Sequence, residues 1–535
     1  MTHLEVPMST APTAPPAATP PKVIHLAPLH GPWPATGRWS RIWPGIGRPA
    51  DAGTVLAITA AGLVATLDVP LDRPGIGWLV AALTGTAALV IARRTGNRLP
   101  ADAPIPRITR PAVRLRPDRY AWGAATIALL AVGTFRSAGW LFLLCLATAT
   151  LTGALALTGG RSLRSIAIGY AMSVISTFRA PLWLSRGAAR LRGGARAGTG
   201  AEAGAGPNIR IAATVGASVA LLTVFGALFA SADQAFADAL TAIAPDLSVA
   251  TAFRWVFVFV VTSMIVGGAA YLRSAPPDLS ESDIIEGRKV SRLEWAIPLC
   301  LLVALFAAFV AVQLTVLFGG ERHVLGTDGL TYANYARGGF WQLSFVTGLT
   351  LVVLAGAARW APREQPADRV LIRVVLGALA ALTLVIVASA LHRMNLYAET
   401  YGLTALRLLV ACCEAWFGLV LLLVLAAGVR IRATWLPRVA IAVGVAALFG
   451  LAAANPDQMI ADYNIRQDRT IDLDYLATLS PDAVPALSAL NQPERDCVLG
   501  RIELRLRDQP DDWRGWNLGR ERARTVLREL TPRCS

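Results

Sequence analysis

The residue types best suited to chemistry fall in two short segments and at one isolated position. The first segment, Leu330 to Gln342, carries Tyr332, Tyr335 and Arg337; the second, Ser389 to Arg407, carries Arg393, Tyr397, Glu399, Tyr401 and Arg407. Arginine forks match phosphate and carboxylate oxygens, and a glutamate beside them is the kind of group that serves as a general base. The set suits an anionic group held at Arg337 and Arg393 with Glu399 as base. The same residues equally suit a clamp of ion pairs and tyrosine hydrogen bonds between adjoining helices. The isolated position is Glu414, inside an apolar run. A charge at mid-membrane costs about 2.5–3.5 kcal/mol on insertion scales. Glu414 is therefore expected to face other helices, either as a proton or ion site or as a neutral, hydrogen-bonded acid, with Gln313 a neighbour by depth.

Cys145, Cys300, Cys412 and Cys413 lie in apolar runs and read as packing residues. Cys497 and Cys534 are the two cysteines beyond residue 453. In an oxidising compartment they form a candidate disulfide, worth about 2–4 kcal/mol; the alternative is a pair of free thiols. The remaining motif census is negative. Lys22 and Lys289 are the only lysines, and neither sits in a phosphate-binding loop. No H-E-x-x-H, C-x-x-C or G-x-S-x-G occurs, so neither a metal nor a cofactor is expected. Asp472-Leu473-Asp474 resembles the acidic pair of sugar transferases, but three residues fit an exposed helix cap as well.

These side chains must be positioned by membrane helices. A crossing needs about 20 predominantly apolar residues, and the sequence offers about eleven such runs: 54–72, 74–92, 120–135, 139–158, 209–231, 253–272, 293–318, 340–358, 370–391, 404–429 and 434–453. Only 16% of residues are charged, against about 25% in soluble domains, which points to an all-α polytopic transmembrane bundle. The net charge of +15 does not indicate nucleic acid, because its distribution follows the membrane. Before residue 454, 31 Lys and Arg lie in or beside alternate loops, and only Arg73, Arg136, Arg254, Arg322, Arg337, Arg393 and Arg407 lie in the others. By the positive-inside rule the N-terminus is cytoplasmic and the chain beyond residue 454 is extracytoplasmic, with anionic headgroups as the bilayer partner of the basic loops.

Five regions follow. Residues 1–50 are rich in Pro and Ala and read as a disordered cytoplasmic tail. Residues 51–160 carry the first membrane helices. In 161–208, the stretch Ser162 to Leu184 reads as a helix lying in the interface, with a twelfth crossing as the alternative, and Gly187 to Gly206 as a flexible basic linker. Residues 209–454 form the main membrane core. Residues 455–535, with 12 Arg and 14 Asp or Glu, read as a small helical cap: the patterns predict helices at 482–491, 493–508 and 518–530, with Trp513 and Trp516 against the cap core.

The combination of Tyr332 to Phe340, Ser389 to Arg407, Asn455-Pro456-Asp457 and Leu473 to Leu487 resembles a bacterial family of multi-pass membrane proteins known only as a domain of unknown function. The resemblance covers about 209–530 and implies a bacterial inner-membrane protein, without implying a reaction or a ligand. Two function classes stay open. One is a non-enzymatic envelope transporter, sensor or scaffold that binds a small solute, a lipid headgroup or a protein partner at its outer face. The other is a membrane enzyme acting on a lipid-linked substrate at that face.

Overall fold

The computed structural model describes residues 49–96, 117–194, 249–277, 291–318, 340–362, 365–430, 434–467 and 471–532, with Phe225, Phe229, Asp233 and Leu279. No strand occurs among them. The long helices are α1 Ala52–Asp68, α2 Ile76–Gly96, α3 Pro117–Phe135, α4 Gly139–Thr158, α5 Leu163–Gly194, α6 Val249–Ser274, α7 Arg292–Phe318, α8 Phe340–Trp360, α9 Pro366–Tyr401, α10 Ala405–Arg430 and α11 Leu436–Ala454. Short helices follow: α12 Pro456–Arg466, α13 Leu473–Thr478, a 3-10 turn Pro481–Ala483, α14 Val484–Leu487, α15 Glu494–Asp508 and α16 Leu518–Leu530.

Eight of these helices have the length and hydropathy of a membrane crossing: α2, α4, α6, α7, α8, α9, α10 and α11. The protein is a multi-pass membrane protein. Two further expected crossings coincide with helices outside that eight. α1 has 17 residues, and α3 begins with Asp118 and Arg119. The run 209–231 lies almost wholly outside the described residues, as does the tail 1–48. Large apolar side chains such as Leu63, Leu301, Phe345, Val352 and Val374 remain exposed along the bundle, as they do where hydrocarbon rather than water is the solvent.

Local sequence sets the helix ends. Asp51 accepts a hydrogen bond from the Thr54 backbone N–H and caps α1. Pro366 opens α9, and Gly402, with φ of 86°, closes it. α9 departs from expectation in its length. It runs unbroken through 392–401, where the sequence suggested a turn, because no Gly or Pro interrupts it and Met394 and Ala398 continue its buried face. The turn to α10 is only 402–404. At 36 residues, α9 measures about 54 Å at 1.5 Å per residue, well beyond the hydrocarbon thickness.

Among the described residues the bundle packs as three large groups, with a small fourth cluster of Ala65, Val69 and Val258 between α1 and α6. α1, α2, α5 and α6 meet around Ile58, Met172, Trp183 and Leu272. α7 to α10 meet around Phe306, Leu354, Leu379 and Leu421. α3, α4 and α11 share one continuous core with the C-terminal cap, from Leu129 and Leu141 to Ile460, Leu487, Leu499 and Ile502. Arginines tie helix ends at the face away from the cap. Arg438 pairs with Asp118 at 2.6 Å and donates to the carbonyls of Gly159 and Gly160 at the end of α4. Arg292 pairs with Asp368 at 2.6 Å, and Arg373 donates to the last carbonyls of α10. Positive side chains at helix C-termini complement the macrodipole.

α5 lies across that same face. Near its start, Ser165 and Ile166 abut Gly160; further along, Thr177 abuts Gly268; near its end, Gly187 abuts the Ala50 carbonyl, just before α1. Both ends thus sit at one face of the bundle. Its buried residues Ser165, Gly169, Met172, Ser176, Ala180, Trp183 and Gly187 form one stripe at the three- and four-residue spacing of a single helix face. The helix continues to Gly194, so the first part of the expected linker is helical. Gly187 is required there by close approach, since a Cβ would fall 2.5 Å from the Ala50 oxygen.

Candidate functional site at the junction of cap and bundle

The chain beyond α11 folds back onto three inter-helix turns. The turn between α1 and α2 is held through Ile76, whose N–H donates to the Trp516 carbonyl at 3.0 Å. Arg73 reaches the Gln509 carbonyl and Asp511, Arg514 reaches the Leu67 carbonyl, and Arg520 reaches the Pro74 carbonyl at 2.8 Å. The turn between α3 and α4 is held by Asp482, whose Oδ2 accepts from the N–H groups of Ser137 (2.6 Å) and Ala138 (3.2 Å). Asn517 donates to the Gly133 carbonyl there. At the turn between α9 and α10, Asn464 bonds both the N–H and the carbonyl of Leu403, while the Tyr475 hydroxyl accepts from the Ala405 N–H. These turns and the end of α11 therefore lie at one face.

Two acids anchor the junction. Asp457 is buried and accepts from the Trp140 indole at 3.1 Å and the Ser480 N–H at 3.0 Å. Asp482 is 3% exposed. Burial pushes its carboxyl above the ordinary carboxylate range, against the opposing effect of the Ser137 hydrogen bond. Among the described residues, the buried oxygens Thr134 Oγ1, Asn455 Oδ1 and Ser480 Oγ at this junction have no hydrogen-bond partner. Asn455 itself adopts φ of 54°, so the chain reverses sharply between α11 and α12.

The residues singled out from sequence fall out as follows. Tyr332, Tyr335, Arg337 and Cys534 lie outside the described residues. Arg393 donates to Gln313 Oε1 of α7, which also meets Ser389. Gln313 is thus a partner of Arg393, and not of Glu414 as depth alone had suggested. Asn395 donates to Glu399. Arg407 donates to the carbonyls of Tyr401 and Gly402 and stacks 4.3 Å over the Tyr397 ring, which in turn lies 4.9 Å from the Tyr401 ring. Tyr397, Tyr401 and Arg407 form one contact unit around the end of α9, and Arg393 is directed to α7. Of the seven arginines that violate the charge pattern, Arg73, Arg136, Arg393 and Arg407 all bind groups of this chain; Arg136 caps the carbonyls of Ala452 and Ala453.

Other expectations divide. In the Asp-Leu-Asp pattern, Asp472 caps α13 by accepting from the Tyr475 N–H, and Asp474 pairs with Arg501 at 2.5 Å. Trp513 and Trp516 are exposed beside the turn between α1 and α2, rather than packed in the cap core. α12 and α13 were not anticipated, and the stretch 482–491 forms only a 3-10 turn and one helical turn, because Pro485 follows Pro481 by four residues. Cys497 is disulfide-bonded and Cys145, Cys300, Cys412 and Cys413 are free. Among the described residues no group of His, Cys, Asp and Glu could hold a metal.

A pocket of about 650 Å³ opens where α11 meets the cap. Arg136, Arg466 and Arg522 line it with one carboxylate, Asp462, and with Gln458, Tyr463 and Gln467. Three guanidinium groups against one acid give it a cationic character suited to a small anion. Sequence reasoning did not find it, because its residues come from α11, α12, α16 and the turn at Arg136. The one available signal was the signature Asn455-Pro456-Asp457, whose first residue, Asn455, lines the pocket at the end of α11.

The sequence model of one family, the domain of unknown function DUF4153, matches residues 124–490, and the chain belongs to this family. The match starts earlier than the motifs suggested and ends before α15, so it includes both anchoring acids and leaves α15 and α16 beyond it. No curated protein and no solved structure matches the chain.

Proposed function

We propose that this protein is a non-enzymatic component of the cell envelope, a sensor or scaffold whose extracytoplasmic cap presents a cationic pocket to a small anionic group, either a lipid phosphate or a free anionic solute. The pocket of Arg136, Arg466 and Arg522 carries this reading. It opens at the membrane end of α11, on the face whose inter-helix loops are poor in arginine. The enzyme alternative has less support: Arg393 is directed to Gln313 and Glu399 accepts from Asn395, which leaves neither poised as phosphate holder and base. Binding of phosphatidylglycerol and of inorganic phosphate to protein in phosphatidylcholine nanodiscs tests the reading. Arg466→Ala/Arg522→Ala is expected to weaken binding of one of these probes at least tenfold, since each charge-assisted bond contributes about 1.5–3 kcal/mol. Equal binding by wild type, by this double variant and by Arg186→Ala at the opposite face would refute it.

The same reading places the N-terminus in the cytoplasm and the cap outside, with the basic face toward anionic inner-leaflet headgroups and a further envelope protein as a possible partner of the cap. It also pairs Cys497 with Cys534. An impermeant maleimide applied to intact cells is expected to label Asp474→Cys and not Arg186→Cys, and to reach Cys497 only after reduction. Labelling of Arg186→Cys from outside would reverse the sidedness. Labelling of Cys497 without reductant would remove the disulfide.

A further inference from the structure

We propose that Glu414 is an intramembrane proton-binding site, held as the neutral acid in this packing and coupled to the contact between α8 and α10. This goes beyond the pocket at the cap and does not depend on it. Glu414 is 1% exposed, and neither of its carboxyl oxygens has a hydrogen-bond partner. It lies in α10, nine residues inside the Ala405 end. Gly418, one turn deeper, abuts Val387 and Leu384 of α9, which sets Glu414 level with the region of Ala390 and Met394.

Among the described residues no charge faces it from an adjoining element. From α8 the Ser344 hydroxyl lies beside it as a weak donor, short of full hydrogen-bond geometry. α9 carries His392, Arg393 and Glu399 toward this end, but Arg393 is directed to Gln313 of α7, Glu399 accepts from Asn395, and both His392 and Glu399 are exposed. The one charged residue of α11, Arg438, lies at the far face on Asp118. α12 contributes Asp457, Asp462 and Arg466 only above the membrane, and within α10 Cys412 and Cys413 immediately precede Glu414 while Arg407 caps the turn. A carboxylate with no cation and only one weak hydroxyl donor beside it is strongly disfavoured in hydrocarbon, and protonation removes the charge. Loss of that proton requires the carboxylate to gain a donor or water, and the interface with Ser344 is where the packing must open to supply it.

Infrared spectra of the protein in nanodiscs, with wild type and Glu414→Gln compared at neutral pH, test this. The expected result is a protonated carboxylic C=O band that shifts with 13C-glutamate, is missing in Glu414→Gln, and fades as pH rises. Thermal stability gives an independent readout. At higher pH only the unfolded wild-type chain releases this proton, so Glu414→Gln is expected to gain stability over wild type with rising pH. Either a spectrum with no such glutamate band in the wild type, or a pH-independent difference in stability between the two proteins, would overturn the proposal.

Discussion

Asp482→Ala and Gly519→Ala are each expected to release the cap from the bundle. In the first, the N–H groups of Ser137 and Ala138 lose their acceptor in a buried site, and unsatisfied buried donors cost about 1–3 kcal/mol each. In the second, an added Cβ would lie 1.7 Å from Asp482 Oδ1, and overpacking of this kind costs about 1–3 kcal/mol or more. Both variants should expose the region after Ala454 to protease and lower the melting temperature. Asp482→Asn keeps an oxygen for the two donors and should stay docked. The pH dependence carries a definite sign. Because burial raises the Asp482 carboxyl above its unfolded value, its contribution is fully present at acidic pH and declines as pH rises through the folded value. Asp482→Asn should lack that decline. A wild-type cap that tightens with rising pH across this range would contradict the assignment.

Asp511→Ala is expected to have the largest effect of any single cap substitution. Asp511 is 5% exposed and accepts from three arginines: Arg520 at 2.9 Å, Arg524 at 2.7 Å and Arg73 at 3.2 Å. Arg520 is equally buried, and burial lowers its guanidinium from the ordinary value while Asp511 opposes that effect. Removing one partner of a buried ion pair costs about 3–5 kcal/mol, because the remaining charge stays desolvated. Arg73 belongs to the turn between α1 and α2, so the loss should reach that turn as well. Arg524→Ala, which removes a half-exposed partner, should cost about 1 kcal/mol or less. Calorimetric or fluorescence melts in detergent measure both, and a ranking with Arg524→Ala as the more damaging change would rule this electrostatic picture out.

The bundle was legible because hydrocarbon imposes a simple local rule. Twenty apolar residues bounded by arginines can be read without knowing what they pack against. α1 and α3 were harder for the same reason, being short or beginning with Asp118 and Arg119. The residues at the junction were legible only as anomalies. Arg136 stood out against the charge pattern, but its acceptors are the carbonyls of Ala452 and Ala453, more than three hundred positions away. Asp457 and Asp482 looked like ordinary helix-start residues, and only the fold places Ser137 and Trp140 against them. The partners of Arg407 were not legible, because the two carbonyls it binds are created by the end of α9 at Gly402. The extent of the apolar run placed that end near residue 391, since the last ten residues of α9 lose their apolar character while keeping Met394 and Ala398 buried.

The central structural claim is that one cap grips three turns at one face of the bundle. Hydrogen exchange of the full-length protein in detergent tests it most directly. The amides of Ile76, Ser137, Ala138, Leu403 and Ala405 all bond to acceptors in the cap. Peptides covering 69–78, 134–140 and 402–408 are expected to be protected in the wild type and to lose that protection together in Asp482→Ala and Gly519→Ala. Rapid exchange of the three turns in the wild type, or a response confined to 134–140 in both variants, would contradict it.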